Sequence, residues 1–289
     1  MFYALLKTMR PKQWAKNGFI FVPLIFDRKL NHLDVGATAL GGFLVFCLLA
    51  STIYIINDLS DLEADRRHPR KKLRPLASGQ LQVPAAITTA AVLLLIAFPA
   101  AFFLNINFFI LCVIYFISNL VYSQWLKHVP LLDVLLLAMF YVVRVAAGVA
   151  LIDVERFSPW LYLFTTFIAL FLGIGKRRAE LSLMSESAGS TRKVLRGYTL
   201  PFLDQLIIVV STLTIITYSL YTFSAVNLPE NNAMMLTIPF LIYGLFRYLY
   251  IVHVEDSGEA PEEVLFKDRP LQISLLLFGA SILIIFYLF

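Results

Sequence analysis

Residues 83–126 read VPAAITTAAVLLLIAFPAAFFL, then NIN, then FFILCVIYFISNLVYSQWL, a stretch from Val83 to Leu126 without one Asp, Glu, Lys or Arg. A helix that crosses a bilayer needs roughly 20 mostly apolar residues. The stretch therefore holds two such helices, divided at Asn105-Ile106-Asn107. Counting outward from this pair, apolar windows with no more than two charged residues each run over 35–56, 83–104, 107–125, 131–152, 157–175, 204–226, 233–252 and 270–289. A ninth, Gly18–Phe26, is strictly apolar but reaches bilayer length only with Trp14, Lys16 and Asn17 on one side and Asp27 to Leu33 on the other. It predicts a short, tilted first helix with snorkelling ends. No small-residue cleavage site follows it, so the expectation is a retained helix rather than a signal peptide.

Composition agrees. Of 289 residues, 59% are hydrophobic and 15% charged, with 25 phenylalanines, whereas soluble domains carry about 25% charged residues. That excludes an ordinary soluble enzyme and a disordered chain. The net charge of +5 is too modest for a nucleic-acid partner and reads as membrane-surface bias. Cys47 and Cys112 lie inside apolar runs with no ligand partner nearby, as buried thiols do. No linker or repeat divides the chain, so one helical membrane domain over 1–289 is expected.

With nine alternating spans, the basic residues fall unevenly. The side of the N-terminus holds 19: Lys7, Arg10, Lys12, Lys16, the six from Arg66 to Arg74, Lys127, Lys176, Arg177, Arg178, Arg192, Lys193, Arg196, Lys267 and Arg269. The other side holds Arg28, Lys29 and Arg156, and Arg144 and Arg247 lie within spans. The positive-inside rule then puts the N-terminus, the long loops and any active site in the cytoplasm and the C-terminus outside.

The most informative polar stretch, Asn57-Asp58-Leu59-Ser60-Asp61-Leu62-Glu63-Ala64-Asp65-Arg66-Arg67-His68-Pro69, ends the 35–56 span. Asp58, Asp61 and Asp65 stand at i, i+3 and i+7, on one helical face with Asn57 at its edge. Like charges so placed repel unless a cation neutralises them. Oxygen-only ligands suit Mg²⁺, which fills its octahedron with water and substrate phosphate. The alternative is a solvated helix end whose aspartates pair with Arg66, Arg67 and Arg70. A cationic loop follows, with Lys71, Lys72 and Arg74-Pro75-Leu76-Ala77-Ser78-Gly79. Carboxylates for a metal beside Lys and Arg are the parts that hold a diphosphate, although positive-inside charge accounts for some of the loop.

These residues carry a resemblance. Asn57-Asp58-x-x-Asp61-x-x-x-Asp65 followed by Arg74-Pro75 and Ser78-Gly79 is similar to the first aspartate motif of the UbiA-type intramembrane prenyltransferases. Asp65-Arg66-x-His68-Pro69-x-Lys71-x-x-Arg74-Pro75-x-Ala77-Ser78-Gly79 and Arg10-Pro11-Lys12-Gln13-Trp14-Ala15-Lys16-Asn17 resemble the branch with decaprenyl-phosphate phosphoribosyltransferases. The resemblance implies an all-α integral membrane protein, nine transmembrane helices around a cytoplasm-facing cavity, in a bacterial inner membrane.

Prenyl-transferring members carry a second aspartate motif at the end of the sixth helix, and this chain departs from it. The place reads Gly173-Ile174-Gly175-Lys176-Arg177-Arg178-Ala179-Glu180-Leu181. Lys176, Arg177 and Glu180 project within about 100° of one another on a helix, two cations and one carboxylate that could hold a phosphate and a sugar hydroxyl. A helix end rich in positive-inside charge is the plainer reading of Arg178. Without GxxxxGK[ST] there is no phosphate loop. The acids Glu255, Asp256, Glu259, Glu262 and Glu263 are irregularly spaced and read as a solvated loop. Arg144, in mid-span, is a functional candidate whose partner belongs on another helix. Tyr122 to Lys127 looks like a superfamily feature near the substrate's phosphates. His32, His128 and His253 have no ligand partner at usable spacing.

The expectation is an Mg²⁺-dependent pentosyltransferase that moves 5-phosphoribose from phosphoribosyl pyrophosphate to a polyprenyl phosphate. The resemblance adds an envelope-glycan pathway. Asp58, Asp61 and Asp65 are expected to hold the metal, with Asn57, Arg67, Lys71 and Arg74 at the diphosphate. Lys176, Arg177 and Glu180 are expected at the 5-phosphate and sugar, and Lys12, Lys16 or Lys127 at the lipid phosphate, with Tyr122 and Arg144 as further binding residues. Assembly of several copies stays open. A prenyltransferase of the same fold is the alternative, opposed by the missing second aspartate motif. A transporter of an anionic solute is another, opposed by polar clusters confined to one face.

Overall fold

In hydrocarbon every backbone N–H and C=O must find a partner within its own segment, which leaves the helix as the structure open to long apolar runs. The computed structural model describes residues 2–68, 71–152, 154, 157–186, 193–255, 264–265 and 267–288, and these contain helices and no strand. Among them, eight helices are long and apolar enough to cross a membrane: Leu33–Ser60, Val83–Leu104, Ile106–Gln124, Leu132–Ile152, Pro159–Ser182, Leu200–Ser224, Ala233–His253 and Arg269–Leu288. Each falls on an expected window.

The chain forms two compact units, Met1–Trp125 with Val143–Val154, and Leu126–Val142 with Glu155–Phe289. The first contains α1 (Phe2–Met9), a 3-10 helix (Pro11–Phe21), α2 (Val22–Phe26), α3 (Leu33–Ser60), α4 (Leu62–Arg67), α5 (Val83–Leu104), α6 (Ile106–Gln124) and the later half of α7 (Leu132–Ile152). The second contains the start of α7, α8 (Pro159–Glu186), α9 (Leu200–Ser224), α10 (Ile238–His253) and α11 (Arg269–Leu288).

The weak ninth run differs from the expected tilted helix. It is the 3-10 helix of 11 residues running into the 5 residues of α2. At about 2.0 Å per residue in 3-10 and about 1.5 Å in α geometry, the two rise about 30 Å, the thickness of the hydrocarbon core. The tighter, more elongated winding supplies length that an α-helix of the same residues lacks. Its polar members are tied down: Trp14 Nε1 donates to Ser51 Oγ at 3.1 Å, and buried Asn17 donates to Cys47 Sγ at 3.3 Å.

Helix boundaries follow local chemistry. The divider Asn105 caps α6, its side chain accepting from the backbone N–H of Asn107 and Phe108. Thr199 caps α9 and Asp268 caps α11 in the same way, and Pro84, Pro201, Pro239 and Pro270 sit in first turns, where the missing N–H costs nothing. In α5 the buried residues Ala86, Ala90, Leu93, Ala97 and Ala101 make one stripe. Small side chains there let α5 lie close against α3, where packing in lipid depends on close approach. Mid-span Arg144 finds its partners on other elements, Nε donating to Asn17 Oδ1 at 2.8 Å and Nη2 to Tyr115 Oη at 2.7 Å.

Candidate active site

In the first unit, α3 ends at Ser60 and α4 begins at Leu62, with Asp61 as the hinge between them. The backbone bonds Asp61 N to Asn57 O and Asp65 N to Asp61 O, 2.9 and 2.8 Å, carry the helical register across this break. Asp58 and Asp65 therefore stay on one side, and both are buried. Asp61 is partly exposed between them. Asn57 is fixed from α6, its Oδ1 accepting from Ser123 Oγ.

What joins the two buried carboxylates is Arg74. Its Nη1 donates to Asp65 Oδ2 at 2.6 Å and to Asp58 Oδ1 at 3.1 Å. Lys71 Nζ approaches Asp65 Oδ1 at 3.9 Å. The loop that carries Arg74 is anchored by Leu76 and Leu81, buried in an apolar cluster with Ala4, Ile55, Ala86, Ala90 and Leu93. It returns on itself through Ser78 N to Arg74 O and Leu81 N to Pro75 O, 2.9 Å each, with Gly79 at φ 78°, where a side chain would be strained. The Arg74-Pro75 and Ser78-Gly79 pairs thus set one guanidinium against two carboxylates.

Arg10 completes the cluster. It joins α1 to the 3-10 helix in the left-handed region, φ 54°, a conformation that persists in non-glycine residues where the surroundings hold it. Its Nη2 donates to Asp58 Oδ1 at 2.7 Å and its guanidinium lies 4.7 Å from the Tyr54 ring centroid. A cleft of about 300 Å³ opens here, lined by Lys7, Arg10, Asp58, Leu73, Arg74 and Pro75. Three cations around one carboxylate suit a polyanion.

Among the described residues, no three His, Cys, Asp or Glu side chains converge as a ready metal cage. Asp58, Asp61 and Asp65 do not close on one another, and the Arg74 guanidinium stands between the outer two. That nitrogen reports where a cation meets both carboxylates, and the donors are oxygens of the kind that hard divalent ions take. On this chemistry Asp58 and Asp65 fit such an ion.

The second unit has its own buried ion cluster. Arg177 on α8 is 1% exposed, Nε donating to Asp133 Oδ2 at 2.6 Å and Nη1 to Glu180 Oε2 at 2.8 Å. Asp133, fully buried in the first turn of α7, also accepts from Tyr198 Oη at 2.6 Å. The Tyr198 hydroxyl accepts in turn from the backbone N–H of Leu131, a residue held at φ 68°. Burial, and then the bond to Asp133, push the Tyr198 phenol well above its ordinary range, so it stays a donor. Arg177 is consequently enclosed by carboxylates, while Lys176 beside it is partly exposed. Arg178 pairs with Asp204 at 3.0 Å.

Arg67 is exposed, and Lys16, Tyr122 and Lys127 are partly exposed. Glu255 pairs with Arg247 at 2.9 Å, while Asp256, Glu259, Glu262, Glu263 and Arg70 lie outside the described residues. Sequence reasoning gave no site role to Arg10, Asp133 or Tyr198. For Arg10 the Arg10-Pro11 motif was the available signal, and for Asp133 the rarity of an acid at the start of a span.

The profile of the UbiA prenyltransferase family matches residues 28–267. The chain is 35% identical to a decaprenyl-phosphate phosphoribosyltransferase of Mycolicibacterium smegmatis, over 94% of this chain and 89% of that one. It is 32% identical to the protein of that name from Mycobacterium tuberculosis, over 96% and 92%. Among solved structures, a UbiA homologue from Archaeoglobus fulgidus bound to DMAPP and Mg²⁺ superposes with a TM-score of 0.71 at 20% identity, covering 99% of both chains, which speaks to the fold. The profile match, the relatives along nearly the whole chain and the shared helical architecture lead to one conclusion: the chain belongs to the UbiA prenyltransferase family.

Proposed function

We propose that this protein is a membrane phosphoribosyltransferase, moving 5-phosphoribose from phosphoribosyl pyrophosphate onto the phosphate of a polyprenyl phosphate and releasing pyrophosphate. The observation that carries the choice within the family is the α8 cluster. Where a prenyltransferase would present a second set of aspartates, this chain has Lys176, Arg177 and Glu180, and relatives with the same extent of chain are decaprenyl-phosphate phosphoribosyltransferases.

The donor's diphosphate is assigned to the Asp58 cleft, where Arg10, Arg74 and Lys7 neutralise its oxygens and Lys71 adds charge at Asp65. A divalent cation held by Asp58 and Asp65 would supply further positive charge against the departing pyrophosphate. The bond from sugar C1 to the diphosphate oxygen breaks with its electron pair leaving on pyrophosphate, and a lone pair of the acceptor phosphate forms the new C1–O bond. That nucleophile is already anionic, so no proton has to be removed and a catalytic histidine is unnecessary. Lys176 is assigned to the 5-phosphate and Glu180 to a sugar hydroxyl, with Arg177 aiming Glu180 from its fixed seat on Asp133. Lys16 and Lys127 are assigned to the lipid phosphate, and the uneven cation distribution supports a cytoplasmic side for this chemistry.

The test supplies purified protein and a divalent metal with two substrate pairs in parallel: phosphoribosyl pyrophosphate with a polyprenyl phosphate, and a prenyl diphosphate with an aromatic acid. Product from the first pair alone supports the proposal. Product from the second alone overturns it in favour of a prenyltransferase.

A further inference from the structure

Arg10 and Arg74 hold the same carboxylate oxygens that a metal would need. Asp58 Oδ1 accepts from Arg10 Nη2 at 2.7 Å and from Arg74 Nη1 at 3.1 Å, and that Arg74 nitrogen also meets Asp65 Oδ2 at 2.6 Å. Two donors take up the lone pairs of one oxygen, so a cation arriving at Asp58 Oδ1 competes with both guanidiniums. The sides of the contest differ in mobility. The two aspartate side chains are 3% exposed, whereas those of Arg10 and Arg74 are 33% and 29% exposed. The carboxylates stay and the arginines can turn.

Simple displacement would be costly, because a guanidinium driven off a buried carboxylate needs another partner. A diphosphate in the cleft is such a partner, since guanidinium forks match phosphate oxygens. Both arginines line that cleft together with Lys7, and Arg10 keeps the Tyr54 ring as a support that does not depend on Asp58. We infer that Arg10 and Arg74 are exchangeable counterions, which release Asp58 and Asp65 to a divalent cation when a diphosphate arrives to accept them. Arg10 is then a diphosphate ligand alongside Arg74, and metal and diphosphate reinforce each other's binding. The inference rests on reading this cluster as the metal and diphosphate site.

The experiment measures Mn²⁺ binding by electron paramagnetic resonance on the full-length protein, alone and with saturating methylenediphosphonate, after correction for the complex these form in solution. Wild type, Arg74→Gln and Arg10→Gln are compared, each shown to be folded by its melting curve. In wild type the diphosphonate should tighten Mn²⁺ binding about tenfold. Either substitution should let Mn²⁺ alone bind about fivefold more tightly than in wild type, and should shrink the coupling toward none. A fixed structural salt bridge predicts the opposite sign, since its loss would loosen the carboxylates. If both variants bind Mn²⁺ no more tightly than wild type, with coupling intact, the exchange is wrong while the metal site stands. If wild type binds neither probe, the functional reading of the cluster falls and the exchange with it.

Discussion

Arg177 sits in a run of three bases that invites a single explanation, yet its neighbours do different things. Its guanidinium is 1% exposed between Asp133 and Glu180, and removing one member of a buried ion cluster leaves the others uncompensated. Arg177→Gln should therefore destabilise the protein by about 3–5 kcal/mol, read as a lowered melting temperature in detergent. Lys176→Gln should leave melting within about 0.5 kcal/mol of wild type and raise the KM for the donor instead. Equal melting losses in both would remove the distinction. At the other cluster, Asp65→Asn takes one carboxylate from Arg74, and turnover should fall by about 100-fold or more, the scale on which a single electrostatic group in an active site acts. Undiminished activity in that variant would dismiss the carboxylate assignment. The aspartates were legible because helical spacing is local information. Arg10 was not, because its contact with Asp58 spans 48 residues and depends on how α1 and the 3-10 helix lie along α3.

At the scale of elements, the 3-10 helix and α7 meet where α7 has no side chain. A Cβ at Gly148 would run into the carbonyl oxygen of Ile20, a backbone atom that cannot swing aside. Gly148→Ala should cost about 1–3 kcal/mol by overpacking. At Gly18, where a Cβ meets nothing within 4 Å, the same change should be close to neutral. Melting curves of the two variants check the pair, and a neutral Gly148→Ala would refute the close approach. This element shows where sequence reading stops. Apolar length and the Asn105 divider locate α-helices because both are written in consecutive residues, whereas a 3-10 winding is set by what the chain packs on. A second element-scale device is Asp268, which caps α11 and pairs with Arg247 at 2.6 Å. The hydrogen bond from Arg247 holds its carboxyl below the ordinary carboxylate range. Because the folded pKa is the lower one, the stabilisation is complete above the ordinary value and is lost as pH falls through the lowered one. The melting difference between wild type and Asp268→Asn should be constant near neutrality and shrink in acid. A difference that grows in acid would contradict the pairing.

Across the whole molecule, the sequence carries 19 basic residues on one predicted side against three on the other, and the proposed chemistry needs the richer side to face the cytoplasm. Cys47 and Cys112 are buried, so thiols introduced at exposed Lys72 and Asn31 can be read over a quiet background. An impermeant maleimide should label Lys72→Cys in inverted vesicles and Asn31→Cys in right-side-out ones, and the reverse pattern would invert the topology. The membrane class and the eight strong spans were legible from long apolar runs with few charges. The division of labour within the site was not, since it depends on which cations carboxylates bury and which they leave at the surface. The central claim concerns which bond breaks, and a doubly labelled donor follows it directly. With phosphoribosyl pyrophosphate labelled in the ribose and in the β-phosphorus, the ribose label should enter the lipid phase with polyprenyl phosphate while the β-phosphorus appears as aqueous pyrophosphate. Transfer of β-phosphorus into the lipid, or no lipid label from an otherwise folded protein, would contradict the account.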